Sequence, residues 1–175
     1  MNWMKKVAVA LVCLLPLGLQ AAKVDTLQVK SPSMNKSIEV VVVSPDVAAT
    51  KACPVIYLLH GYGGNARTWV GIKPDLSKIA DEKGIFFVCP DGKNTWYWDS
   101  PLNADVRYET FISDELVKYV DSHYKTVADR KGRAITGLSM GGHGAMWNGL
   151  RHSDVFFALS LIILWKSGRS SVLAE

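Results

Sequence analysis

The chain has 175 residues, 49% of them apolar and 21% charged, with 14 Gly and 7 Pro. That balance describes a globular chain and excludes disordered, collagen-like and coiled-coil ones, while the length admits one domain with at most a short appendage. The net charge of +4 comes without a basic run, which argues against a nucleic-acid reader.

Residues 1–6 are positive, residues 7–19 are apolar apart from Pro16 and Gly18, and Gln20-Ala21-Ala22 brings small side chains. This three-part layout predicts a secretory signal peptide over residues 1–21, with a secreted or periplasmic mature chain. The apolar run is shorter than the roughly 20 residues a membrane-spanning helix needs, so no stable span is expected after cleavage.

Residues 24–29 and 38–43 are rich in β-branched side chains, and the turn-prone 31–35 between them predicts an antiparallel hairpin. Residues 54–59 and 85–89 are continuous apolar runs, as strands buried on both faces require. A Gly-rich loop, 61–65, follows the first, and Pro90-Asp91-Gly92 ends the second. Helical spacing runs over 74–83, where Gly84 stops it, and over 108–124. A short strand at 133–136, a helix of small residues at 141–151 and a last strand from about Val155 complete the pattern. Strands alternating with helices predict a mostly parallel sheet covered on both faces: a hairpin, then four parallel strands paired in crossed order. Cys53 and Cys89 then fall at opposite strand ends, roughly 15 Å or more apart. They are expected as buried thiols, not as a disulfide.

Gly137-Leu138-Ser139-Met140-Gly141 is a G-x-S-x-G sequence placed between a strand and a helix. A strand turning at once into a helix lifts the serine to the apex of a strained turn, and only small residues fit two positions to either side. Ser139 is the candidate nucleophile, at the sheet edge where open α/β folds bind ligands. The backbone N–H of Met140, at the helix start, is one oxyanion donor. In His60-Gly61-Tyr62-Gly63-Gly64 the N–H of Tyr62 is assigned as the second, with His60 bracing the loop by hydrogen bonds. Trp96, Tyr97 and Trp98 are candidate walls for an acyl group or a sugar. Packing beneath the loop explains them equally well. His143, one turn into the helix, reads as a packing or surface residue, and Glu109 as an acid favoured at a helix start.

These segments, with Pro90-Asp91-Gly92, residues 96–101, Tyr108-Glu109-Thr110-Phe111 and Gly142-His143-Gly144-Ala145, resemble the esterase D-like branch of the α/β-hydrolases. That branch includes S-formylglutathione hydrolases, feruloyl and acetyl-xylan esterases, tributyrin esterases and mycolyltransferases. The resemblance covers roughly residues 36–160. It implies an α/β-hydrolase fold and ester hydrolysis by a Ser-His-acid triad, on a small-molecule or carbohydrate ester, with no metal or cofactor.

In this fold the acid and then the base follow the nucleophile in sequence. After Ser139 the candidates are His143, His152, Asp154 and Glu175. His152 and Asp154 lie at the far end of the nucleophile helix, roughly 15 Å away at 1.5 Å per residue. His60 has no acid at a dependable position. The triad acid and base are therefore read as absent, and residues 161–175 as a divergent tail on a domain, 22–160, truncated at its carboxyl end. A frameshift, an early stop or a misplaced gene boundary would each give such an end. Two alternatives stay open: a non-catalytic ligand-binding protein of the same fold, and an acyltransferase.

Overall fold

The structure, a computed structural model, describes residues 22–162. The signal-peptide reading of 1–21 and the tail from 163 onward, Glu175 included, lie outside the described residues. Strands β1 (Lys23–Ser31) and β2 (Lys36–Ser44) form the hairpin, turning through Asn35 at φ 49°. Strand β3 (Val55–Leu59) follows, then α1 (Thr68–Ile72), α2 (Leu76–Lys83) and β4 (Phe86–Pro90). A loop leads to α3 (Tyr108–Thr110), which runs through a π turn, Phe111–Glu115, into α4 (Leu116–His123). Strand β5 (Arg133–Leu138), α5 (Met140–Arg151) and β6 (Ala158–Ile162) complete the chain of elements.

The six strands make one sheet in the order β1-β2-β4-β3-β5-β6. The hairpin joins through an antiparallel β2–β4 pair, while β3 pairs in parallel with β4 and β5, and β5 with β6. The expected crossed parallel core is present. β6 starts later than Val155 because the N–H groups of Val155 and Phe156 both turn back to the carbonyl of His152. It also ends later than the expected domain boundary: Leu161 and Ile162 pair with Gly137 and Leu138.

The alternation of side chains splits the apolar runs between two cores. Val40, Val42, Val55, Tyr57, Leu59, Phe86 and Val88 face α4 and the buried side of α5. Val41, Val43, Leu58, Phe87 and Cys89 face α1 and α2. Each such side chain contributes about 1.5–3 kcal/mol on burial. The π turn belongs to this packing, since it buries Phe111, Ile112 and Ser113 before Leu116, Val117 and Val120 take over the same face. Cys53 and Cys89 are both buried free thiols. At the amino ends of the strands the Asp121 carboxylate pairs with Arg133 and accepts a hydrogen bond from Thr126 Oγ1 at 2.7 Å, tying α4 to β5. No helix among the described residues is long and apolar enough to cross a membrane.

Candidate active site

Ser139 sits between β5 and α5 with φ 53° and ψ −113°, a conformation that L-residues rarely adopt. It is the first residue of the turn into the helix, and its carbonyl accepts the N–H of His143 at 3.0 Å. The strain persists because the chain crosses itself here. A Cβ on Gly137 would run into the backbone of Gly141, and one on Gly141 into the carbonyls of Leu59 and His60. The two glycines thus hold β5, α5 and the end of β3 in contact and leave the serine no relaxed alternative. Met140 opens α5, so its N–H has no partner within the helix.

The loop after β3 closes over this turn. A Cβ placed on Gly61 would lie 3.2 Å from the Leu138 carbonyl oxygen and 3.7 Å from Ser139 Cβ. The Gly61 carbonyl accepts from His60 Nδ1 at 2.7 Å and from the Gly64 N–H at 3.0 Å. The same peptide unit carries the Tyr62 N–H at its opposite edge, so fixing the carbonyl fixes the direction of that N–H. Tyr62 N–H donates to no described residue, and the next N–H, of Gly63, goes to Asn94 Oδ1 at 2.8 Å.

His60 is fully buried and acts as the brace. Its Nε2 accepts from the Gly92 N–H at 3.0 Å while Nδ1 donates to Gly61. Those partners define the neutral Nδ1–H tautomer. Asp91 Oδ1 lies 3.5 Å from Nε2, too far and on the wrong side of that tautomer for a hydrogen bond. Burial works to raise the Asp91 pKa, but the hydrogen bonds from the Lys93 ammonium and N–H outweigh it, and the carboxyl is held well below its ordinary value. Given the tautomer, the Lys93 ammonium at 2.6 Å and the Lys93 N–H at 2.9 Å are the dominant partners.

The three aromatic candidates separate. Trp96 lines an open cleft of about 640 Å³ together with Gly61, Tyr62, Leu138, Ser139, Met140 and Leu161. Trp98 is 46% exposed and packs edge-on against Trp147. Tyr97 does not reach the cleft, which corrects its reading as a wall. It is fully buried, its hydroxyl donates to the His60 carbonyl at 3.2 Å, and its ring fills the space above Gly92 and Gly144. Two successive left-handed residues, Trp96 at φ 59° and Tyr97 at φ 60°, turn the middle side chain inward and leave its neighbours outside.

Among the described residues no side chain hydrogen-bonds Ser139 Oγ. His143 Nδ1 lies 3.1 Å from the Trp96 carbonyl oxygen, and His152 Nε2 lies 2.9 Å from Glu109 Oε1. Glu109, in the first turn of α3, also clamps α5, accepting from Trp147 Nε1 at 2.6 Å and Arg151 Nε at 2.7 Å. Burial acts to raise its pKa, but the hydrogen bonds from Arg151, Trp147 and His152 prevail and lower it. No group of three or more His, Cys, Asp or Glu among the described residues is arranged to hold a metal ion.

Comparison with known proteins agrees with this architecture. The chain is 30% identical over 105 residues to an acetyl esterase of Caldicellulosiruptor saccharolyticus, covering 59% of this chain and 38% of that protein. Its structure matches a ferulic acid esterase with a TM-score of 0.67 and 33% identity, over 78% of this chain and 57% of the other. It matches an S-formylglutathione hydrolase from Agrobacterium tumefaciens with a TM-score of 0.70 and 25% identity, over 78% and 56%. The chain thus spans less than two thirds of each relative. The six-stranded mixed sheet with its helices is the α/β-hydrolase fold of these structures. Residues 31–170 match the esterase family described as "Putative esterase", and the chain belongs to that family.

Proposed function

We propose that the chain carries the nucleophile and oxyanion site of a serine carboxylesterase, exported by a leader at residues 1–21, that acts on small acyl or carbohydrate-linked esters. One observation carries this reading. Ser139 stands in a strained turn, and Met140 and Tyr62, which line the same cleft, have N–H groups that donate to no described residue. Attack of Oγ on an ester carbonyl carbon moves the C=O electron pair onto oxygen. On this reading the two N–H groups take up that charge. Collapse of the adduct expels the alcohol and leaves an acyl-serine for water to cleave. The base that takes the Ser139 proton, and the acid that orients the base, follow the nucleophile in this fold. No described residue after Ser139 fills either role.

A fluorophosphonate probe is expected to label folded protein, with the adduct on Ser139 by peptide mass spectrometry. A folded protein that stays unlabelled, or that labels equally after Ser139→Ala, rejects the assignment. The absence of any described partner for Ser139 Oγ favours a second reading, a non-catalytic binder of the same fold. Hydrolysis of p-nitrophenyl acetate faster than the Ser139→Ala variant by roughly a thousandfold, as a working triad supplies, rejects that one.

A further inference from the structure

Far from the cleft, two backbone N–H groups converge on one carboxylate. In the hairpin register Lys23 faces Ser44, so Ala22 and Asp46 lie just outside the paired region at the same end. Asp81, on α2, reaches both. Its Oδ2 accepts the Ala22 N–H at 2.7 Å and its Oδ1 the Asp46 N–H at 2.8 Å. The Ala22 side chain is buried in the core that also holds Leu76 and Ala80 of α2. The charge at this point is not balanced. The Lys23 ammonium goes to Asp25 at 3.0 Å, and that of Lys78 to Glu82 at 3.7 Å. No cationic side chain among the described residues forms an ion pair with Asp81 or Asp46. The Asp46 carboxyl is raised by desolvation and by the negative charge of Asp81.

Ala22 is also the residue that follows the expected leader, behind the small side chain of Ala21. We propose that Asp81 is the receptor for the mature amino terminus: cleavage between Ala21 and Ala22 turns the Ala22 amide into an α-ammonium that pairs with the Asp81 carboxylate, so the fold tightens only after the leader has gone. The cleavage is a hydrolysis by a signal peptidase. The oxygen of one water goes to the Ala21 carbonyl carbon, which leaves as a carboxylate. The two protons of that water join the single one on the Ala22 nitrogen, giving –NH3+, which is charged at neutral pH. The nitrogen already stands at hydrogen-bond distance from Oδ2, so pairing requires no movement of β1 or α2. A neutral donor becomes a charged one, and a hydrogen bond between ionised partners is about twice as strong as one between neutral partners. The same ammonium brings a positive charge to the two carboxylates of Asp46 and Asp81. A fold that is weaker while the leader is attached leaves the precursor easier to unfold for passage through a membrane. The inference rests on the leader reading and involves neither Ser139 nor the cleft.

The full-length chain, expressed in an exporting bacterium and purified from the periplasm or medium, tests it in two steps. Intact-mass and amino-terminal peptide spectrometry should show a chain that begins at Ala22. Urea denaturation then compares this protein with the same protein acetylated on the Ala22 nitrogen, which keeps an N–H and loses the charge. Acetylation should lower the folding constant about fivefold. Asp81→Asn should cost about fivefold more in the free-amine protein than in the acetylated one, because the charge pair exists only in the former. If Asp81→Asn does not fold, the acetylation effect on wild type is the deciding measurement, and its absence rejects the pair. A chain that keeps residues 1–21 rejects the leader reading and the pair together. A chain cut at another residue rejects the pair and leaves the leader. A chain that begins at Ala22 and loses the same stability to Asp81→Asn with or without the acetyl group also rejects the pair alone.

Discussion

At the carboxyl ends of β3, β4 and β5 the backbone is strained and large side chains stand in solvent. At the amino ends of the same strands it is relaxed and paired. Five residues other than glycine have positive φ among those described, and four of them, Lys93, Trp96, Tyr97 and Ser139, belong to the carboxyl side. Each costs about 1–3 kcal/mol. The amino side instead holds the Asp121–Arg133 pair, its Thr126 partner, and the Cys53–Thr126 bridge. One end keeps a relaxed backbone and is held by an ion pair, with Arg133 Nε left unpartnered among the described residues, and the other is held in an unfavourable shape by its neighbours. Positions where a relaxed fold would do better are where a fold is shaped for chemistry.

The contrast can be broken at its strongest point with Gly137→Val, whose side chain has no space against Gly141. The expected loss is about 4 kcal/mol or more, read as loss of the native circular dichroism melt. At the opposite end Asp121→Asn leaves Arg133, its side chain 10% exposed, without its counter-charge. Urea denaturation should show a loss of about 3 kcal/mol, and an unchanged midpoint would mean the amino end is not held by this pair. Glu109→Gln should cost about 2 kcal/mol at pH 7, because it removes a charged acceptor shared by three donors. The folded pKa of Glu109 is lowered from an ordinary value of 4.5. Its contribution is therefore complete above that value and lost as pH falls through the folded value, so wild type and variant should converge on acidification. The smallest effect has the opposite sign. Ser139→Gly relieves the strained φ and should raise stability by about 1 kcal/mol while abolishing fluorophosphonate labelling. A destabilised Ser139→Gly protein would mean the turn is not strained.

The hairpin, the buried strands and the serine turn were legible because each has a local cause. Four consecutive valines, 40–43, suit only a strand covered on both faces, and the spacing of Gly137 and Gly141 suits only a chain crossing itself. The antiparallel β2–β4 junction was not legible, since nothing within either strand encodes its neighbour. The inward turn of Tyr97 is not legible either, for a related reason. Three adjacent aromatics look alike in sequence, and only the left-handed backbone at 96 and 97 decides which one turns inward. The small residues Gly92 and Gly144, 52 positions apart, were a signal that something large had to fit between them. Glu109 looked like a dipole effect because its partners Trp147, Arg151 and His152 arrive from a helix far along the chain.

The grip of His60 on the Gly61 carbonyl has a consequence for how the cleft meets charge. A peptide unit clamped at its oxygen cannot swing its N–H, so the dipole at Tyr62 points the same way whether or not anything is bound. Water answers a new charge by reorienting, and spends free energy in doing so. An anion forming between Tyr62 and Met140 would meet dipoles aligned when the chain folded, with nothing left to rearrange.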